Sequence, residues 1–344
     1  MSFPAARDAR LVEVLRALPY VPERARPHAA TVLARAEAHG LAGVVQDALR
    51  RCGVSLEPEL ERTLAWREAA READHAAHLA LLGRLDDVLT RAGLPAVALK
   101  GALFAERFYP RPSSRSTSDI DLLVDEATVG AVLTAVAELG YVAAGGAAED
   151  RFRREHHHLH CSHPNALPLE VHFHAYRGFG GVLPSAPLLQ RRGTSSSYGF
   201  SAIGVLAPAD ELVYLAVHAA SHRFIRLGWL YDMRLLLETM TRPQVEMAAL
   251  RARSWGYGRS LAFAAHLLVD LLGVKASLVD PLQRRLDSVR RPIVRFVALE
   301  PTAPLLRSAT RFVYTIALCD TFPAAVRYAS SASMSRVRRA FDAE

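Results

Sequence analysis

Two aspartates in a short apolar segment are the residues of this chain best suited to chemistry. They are Asp119 and Asp121, in Ser118-Asp119-Ile120-Asp121-Leu122-Leu123-Val124. The alternation of polar and apolar residues predicts a strand over 119–124, so both carboxylates project from one face. Adjacent carboxylates repel each other unless a cation lies between them. Because aspartate is disfavoured in strands and its oxygens suit Mg²⁺, the pair predicts a divalent-metal site.

A third carboxylate on a neighbouring strand would complete such a site, and Glu170 is the candidate. It lies in a segment where Glu170, His172 and His174 alternate with apolar residues. Two ions held by three carboxylates could stabilise the attacking and leaving oxygens of an in-line displacement at phosphorus. Phosphoryl and nucleotidyl transfer require little beyond such positioning and positive charge. His172 is a candidate general base or a partner that orients Glu170.

Positive charge for a triphosphate is available upstream of the aspartates. Lys100-Gly101 lies at the junction between a short apolar strand and a short helix in the predicted order of elements. We expect Lys100 to reach a phosphate oxygen, and Gly101 to let backbone N–H groups approach the phosphate closely. Arg115 is a second candidate phosphate contact, and Ser118, next to the aspartate pair, is a third.

Three regions are expected along the chain. Residues 1–92 carry apolar positions at helical spacing, and a glycine follows the last of them, as is common at a helix C-terminus. Residues 93–180 combine short apolar runs with an amphipathic helix, which predicts a small α/β core. Residues 205–344 are helical again, beginning near Pro208. The predicted fold class is therefore α+β, a small mixed sheet with helices flanked by N- and C-terminal helical regions.

Composition argues against several other classes of protein. With 51% apolar and 22% charged residues, the 344-residue chain is globular rather than disordered. No apolar run reaches the roughly 20 residues of a membrane span, and no signal-peptide core is expected at the N-terminus. Three widely spaced cysteines favour the cytoplasm over a disulfide-bonded fold. The net charge of +7 comes from dispersed arginines, which is more typical of a solvated surface than of a nucleic-acid groove.

Half of the 14 histidines fall within one short stretch of the chain. They are His156, His157, His158, His160, His163, His172 and His174. A predicted hairpin would place His156, His158 and His160 on one face, opposite His172 and His174. This face could border a nucleotide pocket or, alternatively, bind zinc, which needs three or four ligands at about 2.1 Å. His218 and His222 have helical metal-ligand spacing but lack the glutamate of a zinc-protease motif, so packing or substrate contact is expected.

These motifs together resemble those of a known family. The matching stretches are Leu99-Lys100-Gly101, Phe108-Tyr109-Pro110, Arg115-(x)₃-Asp119-Ile120-Asp121-Leu122-Leu123-Val124, Leu169-Glu170-Val171-His172, His218-Ala219-Ala220-Ser221-His222 and Trp229-Leu230-Tyr231-Asp232. They are similar to bacterial uncharacterised nucleotidyltransferases, within the polymerase-β-like nucleotidyltransferase superfamily, over about residues 75–240. One departure is that the superfamily's Gly-Ser pair after the first strand is Lys100-Gly101 here, so its serine contact to phosphate is missing.

The resemblance implies a minimal α/β nucleotidyltransferase core in which Asp119, Asp121 and Glu170 bind Mg²⁺ or Mn²⁺. The implied reaction moves a nucleoside monophosphate from an NTP, with ATP expected, to an acceptor hydroxyl and releases pyrophosphate. The acceptor could be a small molecule, a protein side chain or an RNA end. Two alternatives stay open at the level of sequence. One is a catalytically weak nucleotide- or partner-binding protein of the same fold, and the other is a zinc protein that uses the His156–His174 cluster.

Overall fold

A computed structural model describes residues 8–143, 156–195, 198–283, 290, 292, 294 and 307–330. The chain divides into two compact units, one of residues 1–175 and 184–211 and one of residues 176–183 and 212–344. The first unit unites the N-terminal helices with the sheet, so residue 92 is not a boundary between these units. The three regions expected from the sequence, 1–92, 93–180 and 205–344, therefore stay a prediction.

Helices and short strands make up the described residues. In chain order, helices α1 to α13 are Ala9–Ala17, Ala29–Ala38, Ala42–Arg51, Pro58–Arg91, Ala102–Phe108, Val129–Ala137, Ser185–Gln190, Pro208–Ser221, Leu227–Thr239, Arg242–Ser254, Gly258–Leu272, Ala276–Val279 and Arg307–Leu318. Strands β1 to β8 are Ala96–Ala98, Ile120–Leu123, Val142–Ala143, His158–Ser162, Leu169–His172, His174–Gly178, Gly181–Pro184 and Ile203–Val205. The predicted α+β class is confirmed. None of the helices in the described ranges has the length and apolar character needed to cross a bilayer.

A six-stranded mixed sheet organises the first unit, with the order β3-β4-β5-β2-β1-β8. Strand β2 is parallel to β5 and antiparallel to β1, while β4 is antiparallel to both β3 and β5. Strands β6 and β7 pair separately. The register of the parallel pair sets Asp121 directly beside Glu170. Carboxylates from two separate strands therefore lie side by side, as the metal-site prediction requires.

The apolar positions of β2, β4 and β5 pack into one core with helices α4 and α6. The buried residues include Leu82, Leu85, Leu89, Ile120, Leu122, Val132, Val136, Leu159, Leu169, Val171 and Phe173. Burying a leucine, valine or isoleucine side chain contributes about 1.5–3 kcal/mol, so this layer accounts for much of the stability of the sheet. Because side chains alternate along a strand, Asp121, Glu170 and His172 project from the opposite face. Core packing thus fixes the face that carries the chemistry.

A buried aspartate of α4 holds the backbone that leads into β8. Asp86 accepts hydrogen bonds from the backbone N–H groups of Ser201 at 2.9 Å, Ala202 at 2.9 Å and Ile203 at 2.7 Å. The residue is 4% exposed. One carboxylate therefore satisfies three N–H groups that the edge of the sheet leaves without strand partners.

Asp86→Ala is expected to lower the free energy of unfolding by about 3 kcal/mol or more, because buried N–H groups would lose their acceptor. Urea denaturation followed by circular dichroism measures this change. The matched control is Asp87→Ala, which removes the neighbouring exposed carboxylate of the same helix and should change stability by less than about 0.5 kcal/mol. Equal effects of the two substitutions would contradict the role given to Asp86.

Candidate active site

The ammonium group of Lys100 lies between the two aspartates. Its Nζ is 2.8 Å from Oδ2 of Asp121, and 3.1 Å and 3.3 Å from the two carboxylate oxygens of Asp119. The antiparallel pairing of β1 with β2 brings these residues together, since the N–H of Leu99 donates to the carbonyl oxygen of Asp121 at 3.1 Å. The aspartate pair therefore shares one cation, as two neighbouring negative charges require. That cation is a lysine ammonium.

Burial and the neighbouring charges have opposite effects on the pKa values of Lys100 and Asp121. Burial by itself would lower the pKa of Lys100, but the charges of Asp121 and Asp119 outweigh it and raise that pKa above its ordinary value. Burial would raise the pKa of Asp121, yet Lys100 and His172 hold that pKa well below its ordinary value. Lys100 and Asp121 are therefore both charged at neutral pH.

Glu170 and His172 complete the row of polar side chains on this face. His172 donates from Nε2 to Oδ1 of Asp121 at 3.1 Å, and the same nitrogen is 3.3 Å from Oε2 of Glu170. Burial would lower the pKa of His172, but its hydrogen bonds to Asp121 and Glu170 raise it. Burial would raise the pKa of Glu170, but the hydrogen bond from His172 lowers it. Potential ligand atoms of Asp121, Glu170 and His172 all lie within 4.8 Å of one another.

Ser118 and Arg115, both proposed from the sequence as phosphate contacts, lie in different surroundings. Ser118 is exposed, and its hydroxyl donates to Oδ1 of Asp119 at 3.3 Å, so it belongs to the rim of the aspartate pair. The guanidinium of Arg115 donates to the hydroxyl of Thr117 at 3.2 Å and lies 5.6 Å from the ring centroid of Phe104. These two contacts join Arg115 to Thr117 in its own loop and to Phe104 of helix α5.

Gly101 takes a backbone conformation that other residues rarely adopt. It precedes α5 with φ 85° and ψ −141°, and a Cβ atom there would lie 3.4 Å from the side chain of Thr117. This region of backbone space is open almost only to glycine, at a cost of about 1–3 kcal/mol for another residue. The turn that brings Lys100 to the aspartates therefore depends on glycine at position 101.

Gly101→Ala is expected to lower the free energy of unfolding by about 1–3 kcal/mol, because alanine would be strained at this φ. Gly130→Ala is the matched control. Gly130 is an exposed residue of α6 with open space around its Cβ position, so alanine there should be neutral or stabilising by up to about 1 kcal/mol. Urea denaturation of both variants compares them, and a loss at Gly130 as large as that at Gly101 would contradict this prediction.

A group of imidazoles adjoins the carboxylates. Across the β4–β5 pair, His158 lies opposite His172, and His160 lies opposite Glu170. Nε2 of His158 is 3.1 Å from Nε2 of His160, and Nδ1 of His160 is 3.4 Å from Oε1 of Glu170. Burial, together with the neighbouring His172, lowers the pKa of His158 to about 4. His158 is therefore a neutral imidazole at neutral pH.

The expected alternation of the histidines breaks at His157. Strand β4 begins at His158, and the carbonyl oxygen of His157 accepts hydrogen bonds from the N–H groups of both Phe173 and His174. Two residues facing one is the pairing of a β-bulge, and the bulged residues here are Phe173 and His174, opposite His157. The ring of His157, which lies in the bend before β4, packs 4.7 Å from that of His158 and 5.6 Å from that of His172. Sequence periodicity, which grouped His156 with His158, gave no signal for this bulge.

His163 and His174, from the same histidine-rich stretch, contact other residues. His163 packs on Tyr141 with ring centroids 5.3 Å apart, and Nε2 of His174 is 3.7 Å from a carboxylate oxygen of Glu126. In the second unit, His218 and His222 pack against Trp229, with ring centroids 5.3 Å and 5.1 Å from it. Within the described ranges, His218 and His222 are in no group of three potential metal ligands.

Known proteins similar to the chain were identified by sequence and by structure. A family model described as uncharacterised nucleotidyltransferase matches residues 27–273. The solution structure of the antibiotic-resistance factor ANT(2″)-Ia is 14% identical with a TM-score of 0.39, and the match covers 52% of this chain and 92% of that chain. The crystal structure of ANT(2″)-Ia in complex with adenylyl-2″-tobramycin is 14% identical with a TM-score of 0.38, covering 52% and 97% respectively. Among curated protein sequences there is no significant match.

The family match alone carries the assignment, because it spans most of the chain. It includes every residue proposed for the site, from Lys100 to His172. Most of the first compact unit and about half of the second also fall within the matched range. The chain therefore belongs to the family of uncharacterised nucleotidyltransferases, and it is a nucleotidyltransferase enzyme.

Proposed function

We propose that the enzyme transfers a nucleoside monophosphate from an NTP, with ATP the expected donor, to an acceptor hydroxyl and releases pyrophosphate. One observation carries the proposal. Asp119 and Asp121 converge on a single cation position, and Glu170 lies beside Asp121 on the neighbouring parallel strand. Nucleotidyl transfer needs such a concentration of negative charge to hold the cations that accompany a triphosphate.

The donor set fits Mg²⁺ or Mn²⁺. The ammonium of Lys100 stands in for a cation between the aspartates, and the carboxylate oxygens there are the ligands that hard divalent ions prefer. We propose that Asp119, Asp121 and Glu170 hold two such ions when the nucleotide binds. Bound there, the ions would neutralise phosphate charge and stabilise the attacking and leaving oxygens.

The chain's own residues would then act on the nucleotide and the acceptor. Lys100 carries its charge on a flexible four-carbon stem, so its ammonium can leave the aspartates for a triphosphate oxygen once a metal ion compensates them. Ser118 and Arg115 would add phosphate contacts, and Gly101 leaves the adjacent backbone uncovered by a side chain. The contacts of His172 with Asp121 and Glu170 would hold both carboxylates in place.

Proton transfer from the acceptor requires a base on the same face. Glu170 is half-buried, and the hydrogen bond from His172 keeps its pKa below the ordinary value despite that burial. An ionised carboxylate in this position can accept the proton of the attacking hydroxyl. We therefore assign Glu170 the role of base as well as metal ligand, with His172 as the residue that positions it.

The test is incubation of the enzyme with each NTP in turn, radiolabelled at the α-phosphate, together with Mg²⁺ and bacterial cell extract. Wild type should transfer the label to a product, which also reveals whether the acceptor is a small molecule, a protein or an RNA. Asp119→Asn should not transfer it, whereas Asp87→Asn, which changes an exposed carboxylate of α4, should match wild type. Transfer of a γ-phosphate label instead would contradict nucleotidyl transfer. Nucleotide binding without a labelled product would favour the catalytically weak binding protein.

A further inference from the structure

Three imidazole side chains lie close together where β4 and β5 pair, beside the carboxylates of Asp121 and Glu170. One ring nitrogen from each of His157, His158 and His172 lies within 4.8 Å of the other two. We propose that these three residues form an all-nitrogen site for a borderline-soft divalent ion such as Zn²⁺, separate from the carboxylate site. Imidazole nitrogens are the ligands that such ions select, whereas Mg²⁺ prefers oxygen.

Two buried ring nitrogens of this group have no hydrogen-bond partner among the residues that the structure describes. They are Nδ1 of His158 and Nδ1 of His172. His172 is only 4% exposed, so its Nδ1 is deep within the fold. Buried polar side-chain atoms in native proteins nearly always have a hydrogen-bond partner. Two such atoms in one cluster of three imidazoles point to a ligand that they share.

The other nitrogen of each of these two rings is already engaged. Nε2 of His172 donates to Asp121 at 3.1 Å and faces Glu170, while Nε2 of His158 is 3.1 Å from Nε2 of His160. Histidines that bind metal are commonly oriented by a hydrogen bond from the second ring nitrogen, often to a carboxylate. The arrangement therefore leaves Nδ1 of both rings as the metal-binding atom.

His157 supplies the third ligand. It lies in a bend just before β4, and its ring centroid is 4.7 Å from that of His158 and 5.6 Å from that of His172. Nitrogens at about 2.1 Å from a tetrahedral ion lie roughly 3.4 Å from one another, and the nitrogens of this group already lie within 4.8 Å of one another. His157 is half-buried, which gives an ion access from solvent. Three protein ligands also leave a fourth position open.

Cobalt provides a direct readout, because Co²⁺ bound tetrahedrally by nitrogen absorbs strongly in the visible range. The full chain, purified without a histidine tag and stripped with a chelator, is titrated with Co²⁺ and then with Zn²⁺. We expect one tetrahedral Co²⁺ per chain, displaced by Zn²⁺. His158→Ala should weaken binding by more than the roughly tenfold to 100-fold that loss of an orienting partner causes. His163→Ala, a histidine that instead packs on Tyr141, is the matched control and should bind as wild type does.

Two further variants make the outcome decisive. His157→Ala changes a half-buried residue and should weaken binding in the same way, so it decides the matter if His158→Ala does not fold by circular dichroism. Asp119→Asn should keep the cobalt spectrum even though the proposed function requires it to lose nucleotidyl transfer, because the contacts of Asp119 are with Lys100 and Ser118. Wild type without a tetrahedral cobalt spectrum, or unchanged cobalt affinity in folded His158→Ala and His157→Ala, would overturn the inference.

Discussion

Lys100→Met is expected to lower the free energy of unfolding of the metal-free enzyme by about 3 kcal/mol, because Asp119 and Asp121 would lose the cation that they share. Methionine keeps most of the apolar stem, so the effect reports the loss of charge rather than of packing. Urea denaturation in the presence of a chelator measures it. Lys275→Met, which replaces the chain's other lysine at an exposed position, should leave stability within about 0.5 kcal/mol of wild type.

Adding Mn²⁺ or Mg²⁺ should return most of this stability to Lys100→Met. A ligand that binds only the folded state stabilises it, and the variant offers the ion two carboxylates without a competing ammonium. Wild type should gain less at the same ion concentration, since the ion must displace Lys100 first. If the variant is as stable as wild type in chelator, or gains nothing from either ion, the aspartates do not form a cation site.

Asp121→Asn should reduce nucleotidyl transfer by about 1,000-fold at saturating NTP and Mg²⁺. A rate loss of this size is typical when one charge-stabilising group is removed from a buried catalytic site. The substitution keeps the shape of the side chain but removes the charge that faces both Lys100 and His172. The rate of label transfer from NTP measures the loss, with circular dichroism as the check on folding.

Asp125→Asn is the matched control for this substitution. Asp125 follows β2 in the same segment, and its side chain caps the next turn by accepting from the N–H of Ala127 at 2.9 Å. Asparagine caps helical turns about as well as aspartate, so this variant should transfer nucleotide at a rate within about twofold of wild type. A folded Asp121→Asn enzyme that keeps more than a tenth of the wild-type rate would refute the role given to Asp121.

Local patterns in the sequence were sufficient to predict the fold class and the strand face that carries the carboxylates. Alternation around Asp121 and Glu170 predicted strands with one apolar face, and β2 and β5 have that face buried in the core. Pro208 predicted the start of a helix, and α8 begins there. These features depend on residues a few positions apart, so the periodicity of side chains along strands and helices specifies them.

Features that depend on distant residues could not be predicted in the same way. The ammonium of Lys100 lies on the aspartates because β1 pairs antiparallel with β2, and the sequence offered no register for that pair. The bulge opposite His157 depends on how β4 meets β5, so side-chain periodicity did not predict that His157 lies beside His158 and His172. The alternation through Glu170, His172 and His174 predicted that the three share one strand, which was also wrong, since β5 ends at His172 and His174 begins β6.

Anomalous diffraction from crystals grown with Mn²⁺ and a non-hydrolysable NTP would show whether the three carboxylates hold the metal. We predict manganese bonded to Asp119, Asp121 and Glu170, with the ammonium of Lys100 moved from the aspartates to a phosphate oxygen. Manganese bound elsewhere, or Lys100 still joining Asp119 to Asp121 beside a bound nucleotide, would contradict it.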